Sequence, residues 1–480
     1  MASPPPILLW FRKDLRLDDN LALTAAVETG RPVIPVYILD ESDATIAPLG
    51  AAQRWWLHHS LKSLRKSLRA TGNDLLLRRG PSEKILQELI DATGADTIFA
   101  NRIHEPQRLD RERVFAEAQK QRGLRFTAFA GQLLHDPQRL ATGSGGAFRV
   151  YTPFWNAFQR QHEPRPPVEA PSSIPAFRAP PETDDLDAWN CVPAKPDWAA
   201  HFPQSWTPGE AAAIDKLGQF LDGPLDRYKT DRDFPARPAT SRLSPHLALG
   251  EISPFRIWDA TRGLGDIPRE DLIHFRKELV WREFCHHLLF HFPDLAEKNW
   301  NARFDALTWQ EDSRRFGAWT RGMTGYPIVD AGMRQLWRDG IMHNRVRMIV
   351  GSFLVKDLLI DWRQGERWFR DTLVDADPAS NPANWQWVAG TGADASPFFR
   401  VFNPILQGEK FDASGDYVRS FVTEIAGLPD KFIHRPFEAP AEVLRKAGIE
   451  LGVTYPRPIV DHAQARQRAL GAYEAVKRTA

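Results

Sequence analysis

Five short apolar runs, each followed by a polar or amphipathic stretch, fill the first 130 residues and leave few folds open. The runs are Ile7–Phe11, Val33–Leu39, Asp74–Leu77, Thr97–Ala100 and Arg125–Phe129. Each is too short for a helix of ordinary length and reads as a buried strand. Between them, Arg54–Ala70 and Ser82–Thr93 carry helical periodicity. Ser82, with Pro81 before it, is the expected N-cap of the second. Alternating strand and helix predicts a parallel sheet covered on both faces. No GxGxxG follows the first run, so the usual dinucleotide fingerprint is missing.

The pattern then changes. Residues 160–210 are proline-rich and show little periodicity, as expected of a long linker. Beyond 210 the strand signals stop and helical periodicity takes over, in Asp271–Phe292, Gly332–Asp339, Asn344–Leu359, Gly365–Leu373 and Asp461–Lys477. The fold class is therefore α/β plus all-α. The domains are expected at 1–135 (a Rossmann-like parallel sheet), 136–210 (linker) and 211–480 (helical).

Composition excludes several classes. The net charge of +1 means that a nucleic-acid partner would have to be met by a local basic patch. Two cysteines, Cys191 and Cys285, cannot build a disulfide framework or a cysteine-rich zinc site, and they fit a reducing, cytoplasmic setting. The N-terminus lacks the basic and apolar regions of a signal peptide. No run of 18 apolar residues is present, so no membrane span is expected. The anomaly is 17 tryptophans, more than core packing ordinarily uses.

Several constellations carry chemical potential. Asp375, Asp377, Asn381, Trp385 and Trp387 lie within thirteen residues. Carboxylates can anchor a polar head group, indoles can stack or carry single electrons, and an amide can bond a ring nitrogen in either protonation state. The plainer alternative is a surface turn with buried aromatics. Thr240–Ser244 offers hydroxyls at a helix start, either an anion cradle or a simple cap. Glu278, Trp281 and Arg282 share a helix face, suited to a base edge and its π-face or to a packed ion pair. Arg345 and Arg347 point to different faces, one outward toward phosphate and one inward toward a carboxylate such as Asp375. His286, His287 and His291 crowd one helix but lack an HExxH frame, and the same holds for His58 and His59. No metal site is expected.

In this order the motifs resemble those of the DNA photolyase and cryptochrome family, nearly end to end. The residues that carry the match are Trp10–Asn20, Thr240–Ser244, Glu278–Phe284, Thr324–Arg334, His343–Trp362, Asp375–Trp387, Phe399–Pro404 and Gln407–Asp412. The resemblance implies an N-terminal antenna domain and a C-terminal helical domain holding FAD, active as FADH⁻. It implies that Tyr228, Thr240, Ser241, Arg242, Leu243 and Ser244 cradle the flavin phosphates. Asn344, Arg347, Asp375 and Asp377 are its inner anchors, with Arg347 and Asp375 as a salt bridge, and Asn381 faces flavin N5. Trp385, Trp362 and Trp309 match an electron relay. Glu278, Trp281, Met348 and Trp387 match the pocket for a flipped pyrimidine dimer, and Arg232, Arg345 and Arg400 match arginines that meet DNA phosphates. The partner is then UV-damaged DNA, and the protein is expected to be a monomer. Light would drive one electron from FADH⁻ to the dimer, the cyclobutane ring would split, and the electron would return.

Within the family, Asn344 and Met348 stand where (6-4) photolyases carry histidines, which points to cyclobutane dimers. Asn381 stands where plant cryptochromes carry an acid, and no long tail follows the core. Both favour a repair enzyme over a cryptochrome-like blue-light photoreceptor. Ala52–Leu57 resembles a stretch of plant cryptochromes and suggests the class III photolyases, whose antenna is 5,10-methenyltetrahydrofolate. Glu41, Trp55 and Trp56 are the antenna candidates. Gln107-Arg108 and Ala296-Glu297 depart from the folate contacts of better-known relatives, which leaves 8-hydroxy-deazaflavin or no antenna as alternatives.

Overall fold

The computed structural model describes residues 4–479 except His162 and Ser396. Two compact units divide the chain: residues 1–226 with 241–293, and residues 227–240 with 294–480. The break does not fall at residue 210. The proline-rich segment belongs to the first unit because its backbone completes the sheet's surroundings: Val33 donates to the Pro175 carbonyl and Asp184 to that of Leu77, at 2.8 and 2.9 Å. The expected linker 136–210 is also not wholly irregular, since Tyr151–Arg160 is a helix.

The first unit is built on five parallel strands: β1 (Ile7–Phe11), β2 (Val33–Leu39), β3 (Leu76–Arg79), β4 (Thr97–Asn101) and β5 (Arg125–Phe129). Their order is β3-β2-β1-β4-β5, with Leu8 between Ile34 and Ile98. β2 and β4 are buried along their whole length, as a sheet covered on both faces requires. β3 begins two residues later than expected. Asp74 turns out to the guanidinium groups of Arg65 and Arg69, so the ladder starts at Leu76 opposite Val36. Ser82 is not a cap. Pro81 holds that position, and the Ser82 N–H donates to Asp40 Oδ2 at 2.9 Å, so an acid from the end of β2 does the capping. Burial alone would raise the Asp40 carboxyl, but hydrogen bonds from Ser42 and Ser82 hold it below its ordinary value.

The second unit has no strand among its described residues beyond an isolated bridge between Leu451 and Tyr455. Its core joins Trp319, Trp362 and Trp385 to aliphatic side chains from the helices Pro327–Asp339 and Asn344–Ser352. The helix expected to run to Leu359 stops at Ser352 and continues as a π-turn, Phe353–Asp357. The wider turn carries two buried charges inward: Lys356 Nζ donates to the Arg400 carbonyl at 2.8 Å, and Asp357 meets His462 at 2.6 Å. A Cβ at Gly351 would lie 3.4 Å from Val388 and 3.6 Å from the Trp385 ring, ordinary contact distances, so close packing against the helix Ser380–Ala389 does not by itself require glycine there.

Among the described residues no helix is long and apolar enough to cross a membrane, and no group of three or more His, Cys, Asp or Glu side chains is arranged to hold a metal ion.

Candidate active site

In the second unit the helix Asn344–Ser352 begins under a histidine cap, with His343 Nδ1 accepting from the Arg345 N–H. The capped start fixes the directions of the arginines that follow. Arg347 reaches Asp375 with one nitrogen, 3.0 and 2.9 Å from the two carboxylate oxygens, and donates to the Met342 carbonyl with another. Arg345 diverges, meeting Asp233 at 2.6 Å and lying 4.4 Å over the Phe411 ring. Its outward charge is therefore already matched by an acid. Met348 lies beside it, with sulfur 3.8 Å from Arg345 Nη1, and Asn344 is exposed.

Asp377 caps the helix Ser380–Ala389, its Oδ1 accepting from Ala379 and Ser380. That cap sets Asn381 on the first turn. The Asn381 amide nitrogen donates to Glu366 twice, to the backbone oxygen at 3.1 Å and to Oε1 at 2.9 Å. Both donor hydrogens are thus engaged, and the group it can offer a ligand is its carbonyl, an acceptor. Burial raises the Glu366 carboxyl. Glu366 escaped sequence reasoning because its role appears only when Trp362–Thr372 packs against Ser380–Ala389.

The three relay candidates differ in surroundings. Trp385 is buried, with its ring edge-on to Phe369 at 4.8 Å. Gly365 makes room for it, since a Cβ there would lie 2.2 Å from the indole. Trp362 is fully buried, and its indole N–H donates to Asn299 Oδ1 at 2.9 Å. Trp309 is half-buried and packs against two apolar clusters. Trp387 is half-buried, and Arg400 is exposed on the segment held by Lys356. Tyr228 is buried, with the Arg232 guanidinium 5.1 Å from its ring centre, and Thr240 is half-buried.

The first unit holds the remaining candidates. Ser244 opens a five-residue helix, and Leu243 before it is buried. Arg242 takes a left-handed backbone, φ 53°, and its guanidinium lies 4.3 Å over Trp206. The Leu243 N–H lies 3.5 Å from Ser241 Oγ, a long contact. On the helix Arg269–His291, Trp281 stacks on Tyr151 with centroids 3.6 Å apart and planes 7° from parallel. Tyr151, itself anchored to the Lys277 carbonyl, was not anticipated, and nothing local in the sequence pairs it with Trp281. Burial, and after it the charge of Glu278, raises the Tyr151 hydroxyl. Arg282 does not act with Glu278 and Trp281. It donates to the Gln132 carbonyl and to Glu283.

A pocket of about 980 Å³, its open mouth included, lies at the C-terminal ends of β1 and β2. Trp10, Tyr37, Glu41, Phe115, Arg108 and Arg111 are among its walls. The strand order reverses direction between β1 and β4, and such a switch point is where open α/β sheets bind ligands. Trp55 and Trp56 do not line this pocket. Both are core residues: Trp55 meets Phe202 edge-on at 5.2 Å, and the Trp56 N–H donates to Glu251 at 3.1 Å.

The residues present fit a flavin. A buried-edge ion pair, an amide with a free carbonyl and a desolvated indole stand on elements that brace one another in the second unit. Comparison with known proteins agrees. Residues 7–172 match the family described as DNA photolyase, and residues 275–475 match the FAD binding domain of DNA photolyase. The chain is 62% identical over 475 residues to the deoxyribodipyrimidine photo-lyase of Agrobacterium fabrum, covering 99% of this chain and 98% of that one. It superposes on a bacterial class III photolyase from Agrobacterium tumefaciens with a TM-score of 0.97 at 61% identity, over 100% of this chain and 99% of that one. A cryptochrome from Synechocystis follows, with a TM-score of 0.89 at 31% identity over 98% and 100%. The chain belongs to the DNA photolyase family and carries its FAD-binding domain.

Proposed function

We propose that this protein repairs cyclobutane pyrimidine dimers in DNA under blue light. The observation that carries the reading is Asn381, with its amide nitrogen tied to Glu366 and its carbonyl left to accept. As an acceptor, that carbonyl would favour a flavin whose N5 carries a hydrogen, the state a light-driven donor must keep. FAD, when bound, would supply one-electron chemistry toward the dimer. Arg347 and Asp375 would hold its polar parts, together with Asn344 and Asp377, and the resemblance assigns its phosphates to Tyr228, Thr240, Ser241, Arg242, Leu243 and Ser244. The family resemblance assigns bonding of the flipped pyrimidine to Glu278 and contact with its rings to Trp281, Met348 and Trp387. Tyr151 keeps Trp281 in one orientation, which lowers the entropy lost when a base stacks on it.

Arg232, Arg345 and Arg400 meet backbone phosphates, so affinity falls as salt rises. Arg345 must exchange Asp233 for phosphate, so it contributes less than the exposed Arg400. The pocket at the ends of β1 and β2 takes the antenna, with Glu41 in its wall. Its apolar walls and flanking arginines suit 5,10-methenyltetrahydrofolate, whose pterin is flat and whose tail is anionic. Denaturing the purified protein and identifying the released chromophores by mass distinguishes this from a deazaflavin.

The central test is repair. Reduced protein is mixed with UV-irradiated oligothymidine and illuminated with blue light, and recovery of thymine absorbance is followed against a dark control. Light-dependent recovery is the expected result. No recovery with flavin bound and reduced moves the assignment to a photoreceptor like the cryptochromes.

A further inference from the structure

We propose that Asn299, backed by Asp305, is a positioning residue that holds the oxidised form of Trp362 as a protonated radical cation and so drives charge outward along the relay. The inference rests on the relay assignment of Trp385, Trp362 and Trp309. It concerns what separates the first two.

Trp385 and Trp362 are both buried, yet their indole N–H groups are treated differently. That of Trp385 has no acceptor among the described residues. That of Trp362 donates to Asn299 Oδ1 at 2.9 Å. The Asn299 side chain is fixed in turn, its amide nitrogen donating to Asp305 Oδ1 at 2.7 Å. Asn299 is buried and Asp305 is exposed. A short chain of hydrogen bonds therefore runs from an enclosed indole to a carboxylate in water.

Removing one electron from an indole makes its N–H strongly acidic and puts positive charge on the ring. An aligned acceptor stabilises that charged form, and a carboxylate behind the acceptor polarises it further. The cation is therefore favoured at Trp362 over Trp385. One charge opposes this: the Arg363 guanidinium lies 4.7 Å over the Trp362 ring. Asp361 pairs with that guanidinium at 3.1 Å and offsets it.

The step balances without a proton. One electron passes from Trp362 to oxidised Trp385. Trp385 returns to its neutral form, and Trp362 becomes a radical cation that keeps its indole hydrogen. An amide carbonyl accepts a hydrogen bond but is too weak a base to take the proton, so the cation is not trapped at Trp362 and passes on to Trp309. The electron first missing from Trp385 has gone to the photoexcited flavin, and an external thiol refills Trp309.

The test uses the flavin-loaded protein. In Asn299→Leu the nitrogen-proton resonance or resonance Raman marker of the Trp362 indole loses its hydrogen-bond signature. Transient absorption then shows a shorter-lived tryptophan cation and a photoreduction yield lower by severalfold, while flavin content and repair by chemically reduced protein stay as they were. In Asn299→Asp the carboxylate takes the proton, and the transient spectrum changes from cation to neutral tryptophanyl radical with a solvent isotope effect. Asp305→Asn, on the surface, shows the first effect more weakly and stands in if the buried variants fail to fold. An unchanged radical lifetime and yield in Asn299→Leu, with the indole bond shown to be lost, overturns the proposal. So does a persistent cation in Asn299→Asp. Trp362→Phe is the separate control: full photoreduction there removes the relay assignment itself, whereas loss there with unaltered Asn299 variants removes only the role of Asn299.

Discussion

Two helices of this chain each carry a close pair of tryptophans, and the pairs have different fates. On Ala51–Ala70, Trp55 and Trp56 are packed edge-on among other rings, and the Trp56 N–H is satisfied by Glu251, which also accepts from Gly209 and pairs with His246. On Ser380–Ala389, Trp385 leans into space left by Gly365 with its N–H unmet among the described residues, one turn after an amide locked by Glu366. Indole content alone does not mark a functional region. The mark is an indole whose neighbours are arranged for something other than packing: missing side chains beside it, a fixed amide before it, and an ion pair upstream.

The largest expected effect breaks the comparison at the ion pair. Asp375→Ala leaves Arg347 without its carboxylate, and flavin affinity falls on the order of a hundredfold, as losing a charge-assisted, partly buried pair implies. The ratio of flavin to protein absorbance after purification measures it, and Trp56→Phe leaves that ratio unchanged. Next, Trp385→Phe removes most photoreduction but leaves repair intact when the flavin is reduced chemically. Loss of repair under that condition would refute the relay role. Glu278→Ala lowers repair roughly tenfold, the worth of one hydrogen bond to a charged group, with flavin content preserved. Loss of flavin instead would place Glu278 on the cofactor.

On the other helix, Trp56→Phe removes one of three partners of the Glu251 carboxylate, leaving Gly209 and His246, and costs about 1 kcal/mol of stability, read by chemical denaturation, without touching photochemistry. The smallest effect concerns a buried cation in the helical unit. Burial lowers the Lys356 ammonium from 10.5 to about 7. Between these values the unfolded chain binds the extra proton, so this lysine makes stability rise as pH rises from 7 toward 10.5. Lys356→Met flattens that rise, and denaturation midpoints at neutral and mildly alkaline pH give the slope. An unchanged slope would mean that Lys356 stays charged in the fold.

The strands were legible because apolar runs of fixed length between amphipathic stretches admit almost one arrangement. β3 shifted by two residues because Asp74 found arginines, a contact that periodicity does not encode. The start of Ser82–Thr93 was misread for a similar reason, since its cap comes from Asp40, 42 residues earlier. The π-turn at Phe353–Asp357 was invisible in local periodicity, and the partners of its buried Lys356 and Asp357, Arg400 and His462, lie 44 and 105 residues away in sequence. The divergence of Arg345 from Arg347 was legible because helix geometry fixes it, whereas the Arg347–Asp375 pair, 28 residues apart, was legible only through the family resemblance. The partners of Arg282, the Gln132 carbonyl and Glu283, were not legible because helix spacing says which residues align, not what the aligned face meets.

By itself the sequence determined the class of fold, the order of its strands and helices, and the residue types available to a flavin and a damaged base, since periodicity and motif spacing are local properties. Only the tertiary structure decided which indole is sealed and which is hydrogen-bonded, which end of the Asn381 amide is free, and that Tyr151 backs Trp281. Each of those depends on one acceptor, one ring or one missing side chain brought from a distant part of the chain, and hydrogen-bond direction exists only once both partners are in place.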